Sequence, residues 1–327
     1  MIVLGIETSC DETSAAVVRD GHQVLACEVA SSLHFHKKYG GIVPEIASRM
    51  QLETIARVTQ SAVEDAGIPL KKIGLVSVTS GPGLLGSLLV GVSFAKSLSL
   101  AYGIALIGIN HVHSHLYAIF LNSTGIKLPF VGLVVSGGHT SLFYVRDFDD
   151  IKILGQTQDD ACGEAFDKVA KILGLGYPGG PFIEQIARQG NPRAIKFNCS
   201  GTKHILDFSF SGIKTAVLYL TRDRKIPLAY KSDIAASFQE AVIDTLIHKA
   251  LFACKQKKVK SLVIGGGVVA NSRLREKFGA IFKREGIICY FPSKELCLDN
   301  AAMVAGFGYQ LFKKGKRSGF DLTADLN

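Results

Sequence analysis

Three histidines fall within five residues in the stretch Asn110–Ala118. If this run is helical, each residue advances about 100° around the axis, so His111 and His115 lie about 40° apart on one face and His113 points away. Two imidazoles at that spacing can hold one metal ion without backbone movement. The same pair also suits a half-exposed helix face that binds nothing. A metal site needs a third protein ligand, and a catalytic ion keeps a further position open for substrate. Asp299, just ahead of the last helical segment, is a carboxylate that could arrive from the other half of the chain. Capping that helix is the competing use of the same side chain.

A second group of residues suits an oxyanion or a nucleoside. In Ser136-Gly137-Gly138-His139-Thr140 the two glycines let backbone N–H groups come close to an anion, and three side chains add donors; a plain hairpin turn is the competing reading. Gly265–Gly267 ahead of a helix could accept a nucleoside or pack on a sheet. Asn271 could bond a base or ribose, or cap the helix that follows it. Asp167 lies on a helix whose apolar face is Ala165, Phe166, Val169 and Ala170, where a solvated carboxylate is the ordinary outcome. Two chemistries lack their parts. A zincin peptidase needs H-E-x-x-H, and here the first histidine is followed by Val112. The G-x-x-x-x-G-K-[ST] phosphate loop is absent as well.

The elements that must position these residues follow from periodicity. Ile2–Ile6 and Ala15–Val18 read as strands of a hairpin whose turn, Glu7–Ser14, is packed with hydroxyls and carboxylates; Gln23–Ala30 is a third strand. Ser31–Gly41, with His34, His36, Lys37, Lys38 and Tyr39, is a polar excursion from the sheet. Helices are expected over Glu45–Gln60, starting at Pro44, and over Gln60–Ala66. Leu75–Thr79 is a strand, Gly81-Pro82-Gly83 a loop, and a helix runs to about Ala101. Ala105–Ile109 is a strand that delivers Asn110 to the histidine helix. The order then restarts with strands at Phe130–Val135 and Ser141–Val145, a helix over Asp159–Leu173, helices over Gly212–Tyr219 and Ser232–Lys255, a strand at Ser261–Ile264, a glycine loop, a helix over Asn271–Phe282 and a strand at Ile287–Phe291. A last helix opens at Leu298–Met303 and runs to about Phe312. Two halves sharing one order of parts indicate an α/β chain built on an internal duplication, with a ligand cleft between the halves. The boundary is expected near Ser123–Leu128, giving residues 1–127 and 128–299, with the C-terminal helix, 300–327, crossing back to the first half.

Composition narrows the setting. At 327 residues the chain has room for about two domains with buried cores. Ile73–Ala95 carries no charged residue, but Ser80-Gly81-Pro82-Gly83 interrupts it, so it reads as a buried strand, a loop and a buried helix with no membrane span. No secretory leader is expected, because the apolar start lacks a basic flank. Seven cysteines without a C-x-x-C pair fit a reducing cytoplasm. The net charge of +9, gathered partly in Lys255–Lys260, Lys283-Arg284 and Lys313–Arg317, suits an anionic partner such as nucleic acid.

Eight segments in order then carry a resemblance: Gly5–Thr13, Tyr39–Arg49, Ser80–Gly91, His111–His115, Val135–Thr140, Gly163–Pro181, Phe208–Thr215 and Leu298–Met303. Together they resemble the TsaD family, once labelled O-sialoglycoprotein endopeptidase, in its bacterial form with no fused kinase domain. The resemblance implies a duplicated, two-lobed actin/Hsp70/sugar-kinase fold. It implies transfer of threonylcarbamoyl from threonylcarbamoyl-adenylate to N6 of adenosine 37 in tRNAs reading codons that begin with A, with AMP released. It places metal ligands on His111, His115 and Asp299, one divalent ion per chain, Fe2+ ahead of Zn2+. Substrate contacts fall on Val134, Val135, Ser136, Gly137, Gly138, Asp167, Gly180, Glu184 and Asn271. A TsaB-type paralogue and a TsaE-type ATPase are the implied partners. Asp11 is the candidate for accepting or orienting the proton. A metallopeptidase, or an ATP-dependent kinase or ATPase on the same fold, are the alternatives.

Overall fold

The computed structural model describes residues 1–121, 125–199, 201–222 and 226–326. The chain opens with antiparallel strands β1 (Ile2–Glu7), β2 (Glu12–Arg19) and β3 (Gln23–Ser31). A single helical turn, α1 (Leu33–His36), leads to α2 (Pro44–Asp65). Then come β4 (Leu75–Gly81), α3 (Leu85–Tyr102), β5 (Ala105–Asn110) and the histidine helix α4 (His111–Tyr117). Strand β4 pairs in parallel with β1 and β5, so the sheet runs β3-β2-β1-β4-β5.

The same plan recurs downstream. Strands β6 (Phe130–Val135), β7 (Thr140–Asp147) and β8 (Asp150–Gln156) form an antiparallel meander. Helices α5 (Cys162–Leu173), α6 (Gly179–Ala187), α7 (Ser211–Thr221) and α8 (Leu228–Lys257) lead to β9 (Ser261–Gly265), α9 (Ser272–Arg284), β10 (Ile288–Tyr290) and α10 (Ala301–Lys313). The second sheet runs β10-β9-β6-β7-β8, with β9 parallel to β6 and to β10. Each sheet is thus a three-stranded meander extended by two parallel strands. Two compact units result, Met1–Ile126 with Leu298–Asn327, and Lys127–Cys297. The expected boundary begins at Ser123, which lies outside the described residues.

The core of the first unit forms where strands are apolar on both faces. Val3, Leu4 and Ile6 of β1 and Val76 and Val78 of β4 are buried completely; each such side chain contributes about 1.5–3 kcal/mol over its exposed state. Helix α10, buried from Ala301 to Gly308, packs on β1 and β2. Ser77 Oγ donates to the Val304 carbonyl at 2.8 Å, which fixes the register of helix against sheet.

Three expectations are corrected. Glu45–Ala66 was expected as two helices and is one, because nothing near Gln60 interrupts the backbone ladder of α2. Strand β8 was not expected: it is an edge strand whose alternation is blurred, with Lys152 and Ile153 both exposed. Helix α3 is buried only along Ser87, Leu88, Gly91, Val92, Ala95 and Ser99, while Leu85, Leu89, Leu100 and Tyr102 are exposed. By length and composition alone it could cross a membrane, with one third of its residues buried.

Candidate metal centre and glycine turn

The first unit gathers its chemistry at the C-terminal ends of its parallel strands. Strand β5 ends in Asn110, whose side chain accepts from His113 N–H at 2.9 Å and so starts α4 at once. This cap puts His111 in the first turn and His115 in the next, with both rings buried and their centroids 4.7 Å apart. The carboxylate of Asp299 meets them, its Oδ1 3.2 Å from His115 Nε2 and 3.7 Å from His111 Nε2. The three donor atoms lie within 4.8 Å of one another. Asp299 does not cap the last helix. Asn300 does, accepting from Met303 N–H at 3.0 Å, and that leaves the neighbouring carboxylate turned to the histidines. Nor does Asp299 come from the other half, since Leu298–Asn327 belongs to the same compact unit as α4.

Glu7 and Glu12 complete this region, and neither was singled out from the sequence. Glu7 Oε2 lies 3.0 Å from His111 Nδ1 and accepts from Thr79 Oγ1 at 2.6 Å. A carboxylate only accepts, so Nδ1 carries the proton and Nε2 faces Asp299. Burial would raise the Glu7 carboxyl, but the adjacent His111 ring outweighs it and holds Glu7 below its ordinary value. Burial would likewise depress His111, yet Glu7 and Asp299 lift it to about 9. Burial, then the charges of Asp299 and Asp11, push Glu12 up to about 10, hydrogen-bonded to Asp11. The signal in the sequence was the density of acids in a turn that continues a fully apolar strand: four carboxylates, Glu7, Asp11, Glu12 and Asp299, converge where little water reaches.

The donor set fits a divalent cation. His115 Nε2 is buried and faces the Asp299 carboxylate at 3.2 Å without a hydrogen bond between them, and its Nδ1 is buried with no hydrogen bond among the described residues; a buried lone pair held against a carboxylate is costly, and a shared cation is its usual remedy. The backbone of the Thr8–Asp11 turn is rigidly held. The Cys10 carbonyl accepts from Gln51 Nε2 at 2.9 Å, the Ser9 carbonyl from Leu84 N–H at 2.8 Å, and the Asp11 carbonyl from Ser32 Oγ at 2.8 Å. Of the glycines after β4, Gly83 packs on this turn, while Gly81 packs on Asp325 and Gly86 on Ser48. A methyl group on Gly83 would meet the Ser9 carbonyl oxygen at 2.5 Å.

The residues expected to contact substrate lie in the second unit. Val134 and Val135 are buried in β6, so their side chains belong to the core and only backbone remains for a ligand. The turn after β6 closes on itself: His139 N–H donates to Ser136 Oγ at 3.1 Å and Ser136 N–H to the His139 carbonyl at 2.8 Å. Gly137 and Gly138 are exposed, and a methyl group on either would meet nothing within 4 Å. The turn packs on the start of α5, where Gly163 N–H donates to the Ser136 carbonyl at 3.1 Å. From α5, Asp167 Oδ1 accepts Gly179 N–H at 2.6 Å at the head of α6, beside the open Gly180. From α6, Glu184 Oε1 accepts Ser272 N–H at 3.2 Å at the head of α9. Asn271 caps α9, accepting from Leu274 N–H at 3.0 Å, and its amide donates to Gln239 Oε1 at 2.7 Å. Ser136, Asp167, Gly180, Glu184 and Asn271 therefore form a connected series, linked through the heads of three helices. Gly266 packs directly under the Val135 carbonyl, which favours the packing role for that glycine loop.

Residues 23–306 match the family model TsaD, described as tRNA N6-adenosine threonylcarbamoyltransferase. A protein of that name from Thermosipho melanesiensis is 53% identical, over 100% of this chain and 97% of its own length. Its namesake from Thermodesulfovibrio yellowstonii is 51% identical, over 99% of this chain and 98% of its own. Among solved structures, HypF from T. kodakarensis superposes with a TM-score of 0.65 at 14% identity, over 96% of this chain and 48% of that one. Component A of the Acidaminococcus fermentans (R)-2-hydroxyglutaryl-CoA dehydratase does so with a TM-score of 0.57 at 13% identity, over 97% and 100%. At such identities these structures establish the fold, a duplicated α/β fold of the actin type.

Proposed function

The chain belongs to the TsaD family of tRNA N6-adenosine threonylcarbamoyltransferases, and from that premise we propose how its residues divide the work. The donor is threonylcarbamoyl-adenylate, and its adenylate part is held in the second unit. Gly137 and Gly138 turn exposed backbone toward the phosphate, and Asp167, Gly180, Glu184 and Asn271 take the nucleoside. In the first unit His111, His115 and Asp299 hold one divalent metal ion, Fe2+ ahead of Zn2+, which when bound supplies Lewis acidity to the acyl carbonyl. Glu7 keeps the His111 proton on Nδ1, so that Nε2 presents its lone pair to the site. Asp11 accepts or orients the proton of the attacking exocyclic amine, and Glu12 shares a proton with it. That amine, N6 of adenosine 37 in tRNAs reading codons that begin with A, is a weak nucleophile, so positioning must supply much of the rate. AMP is the leaving group. A TsaB-type paralogue and a TsaE-type ATPase are the working partners, and the setting is the cytoplasm.

The observation that supports this division most is the His111–His115–Asp299 cluster, its donor atoms within 4.8 Å of one another and both imidazoles buried. Nucleoside mass spectrometry tests it. Unmodified tRNA is incubated with the chain, synthetic threonylcarbamoyl-adenylate and Fe2+ or Zn2+, with and without the two partners. Threonylcarbamoyladenosine formed only when the chain is present is the expected result. Absence of product with both partners and either metal would refute the reading and direct attention to ATP turnover without tRNA.

A further inference from the structure

The segment between β3 and α2 has a composition unlike its surroundings. From Ser31 to Pro44 it contains no acidic residue, and it presents His34, Phe35, Lys37, Lys38 and Tyr39 to solvent, with only His36 among them buried. His36 is an anchor. Val43 N–H donates to its Nδ1 at 3.2 Å, so Nε2 bears the proton and bonds Ser32 Oγ at 3.0 Å; Ser32 Oγ in turn donates to the Asp11 carbonyl at 2.8 Å. Ser32 N–H reaches the same carbonyl at 3.1 Å. Two side chains in series, His36 and Ser32, thus tie a basic, aromatic loop to the turn that carries Asp11 and Glu12. The Lys38 ammonium sits over the Tyr39 ring, 4.9 Å from its centroid, and the ring is half exposed.

This placement answers an electrostatic problem. An adenosine to be acylated arrives on a polyanion, and the turn it must approach holds three carboxyl groups, Glu7, Asp11 and Glu12, with Asp299 beside them. Positive charge at the rim favours the approach of a polyanion, and an unstacked RNA base is usually received on an exposed aromatic ring. Lys37, Lys38, Tyr39 and Phe35 supply both within one short segment. We propose that residues 34–40 form a contact surface for tRNA, Lys37 and Lys38 taking backbone phosphates and Tyr39 stacking on a base near the reacting adenosine. The proposal rests on the transferase reading and deepens it. It distinguishes this loop from the basic clusters at Lys255–Lys260, Lys283-Arg284 and Lys313–Arg317. It also separates it from Lys71 and Lys72, exposed residues that precede β4 and so lie at the opposite end of the sheet.

The test measures binding of an unmodified tRNA transcript, and the KM for tRNA, using the full chain with its partners between 50 and 200 mM salt. Lys37→Ala/Lys38→Ala is expected to weaken binding about tenfold and to lower the slope of log affinity against log salt by about 1 to 2, since each lost phosphate contact removes most of one counterion. Tyr39→Ala is expected to weaken binding about tenfold with the slope unchanged, and Tyr39→Phe to restore it, because stacking needs the ring and not the hydroxyl. Lys71→Ala/Lys72→Ala removes equal charge and is expected to stay within about twofold of wild type. All the altered side chains are exposed, so melting temperatures should match. If the loop variants bind tRNA like the Lys71/Lys72 control while wild type forms threonylcarbamoyladenosine, the loop proposal alone falls. If wild type forms no product, the transferase reading falls and this proposal with it.

Discussion

The two compact units share a strand order but treat the turn after their first strand in opposite ways. After β1 the turn is closed: its carbonyls accept from Gln51, Ser32 and the backbone of Leu84, and the neighbouring glycine loop is packed against it. What it offers to a ligand is side chains, the carboxyl groups of Glu7, Asp11 and Glu12, with Asp299 and two histidines alongside. After β6 the turn closes upon itself and rests on the start of α5, and its two glycines are open on their outer side. What it leaves uncovered is backbone. The first arrangement suits a cation, the second an anion. Duplication provided one scaffold, and side-chain size and charge at equivalent turns divided its uses.

The strongest way to break this comparison is to remove a donor from the acidic side. His115→Ala is expected to abolish metal uptake, read by elemental analysis of the purified protein, and to lower transfer at least about 10³-fold by nucleoside mass spectrometry. Retained metal and activity would show that the cluster is only a packed core. Next in size, Glu7→Gln is expected to weaken metal affinity about 10–100-fold in a chelator competition, because the neutral amide no longer dictates which nitrogen of His111 carries the proton. Unaltered affinity would reduce Glu7 to a structural hydrogen-bond partner.

Paired glycine substitutions address the turns themselves. Gly83→Ala is expected to cost about 1–3 kcal/mol of stability by overpacking against the Ser9 carbonyl, seen as a lower Tm. Gly137→Ala should leave Tm unchanged, since its new methyl group meets nothing, while it weakens threonylcarbamoyl-adenylate binding about tenfold. Equal effects of the two changes on stability would erase the distinction between a closed and an open turn.

The smallest effect concerns His113, the histidine that points away from the cluster. Burial depresses its ring to about 4, against an ordinary value of 6.5. The unfolded chain therefore binds more protons between those two values. Stability from this residue is present above pH 6.5 and is lost as pH falls toward 4, with a slope of at most about 1.4 kcal/mol per pH unit. Chemical denaturation of wild type and His113→Leu across that window should show a shallower acid loss in the variant. Parallel curves would mean that the ring is already solvated.

Much of this was legible in one dimension. Strands buried on both faces, such as β1, β4 and β6, are continuous apolar runs, and glycine loops followed by helices mark the crossovers, so the repeated order of parts could be read directly. The i, i+4 histidines shared a face because helix geometry requires it. Strand β8 escaped because an edge strand needs no apolar alternation. The use of Asp299 stayed open because both it and Asn300 are adequate caps, and only the positions of His111 and His115 decide between them. Glu7 read as one acid among several in a polar turn; its link to His111, 104 residues away, is a fact of the β1-β4-β5 pairing. The sequence by itself determined which residue types could bind a metal, which turns could open, and that the chain is duplicated, since these depend on local geometry and period. Tertiary structure alone decided which carboxylate meets the histidines, which glycines are filled and which are open, and that a basic loop is tied to an acidic turn, since these depend on distances between segments that the order of residues does not encode locally.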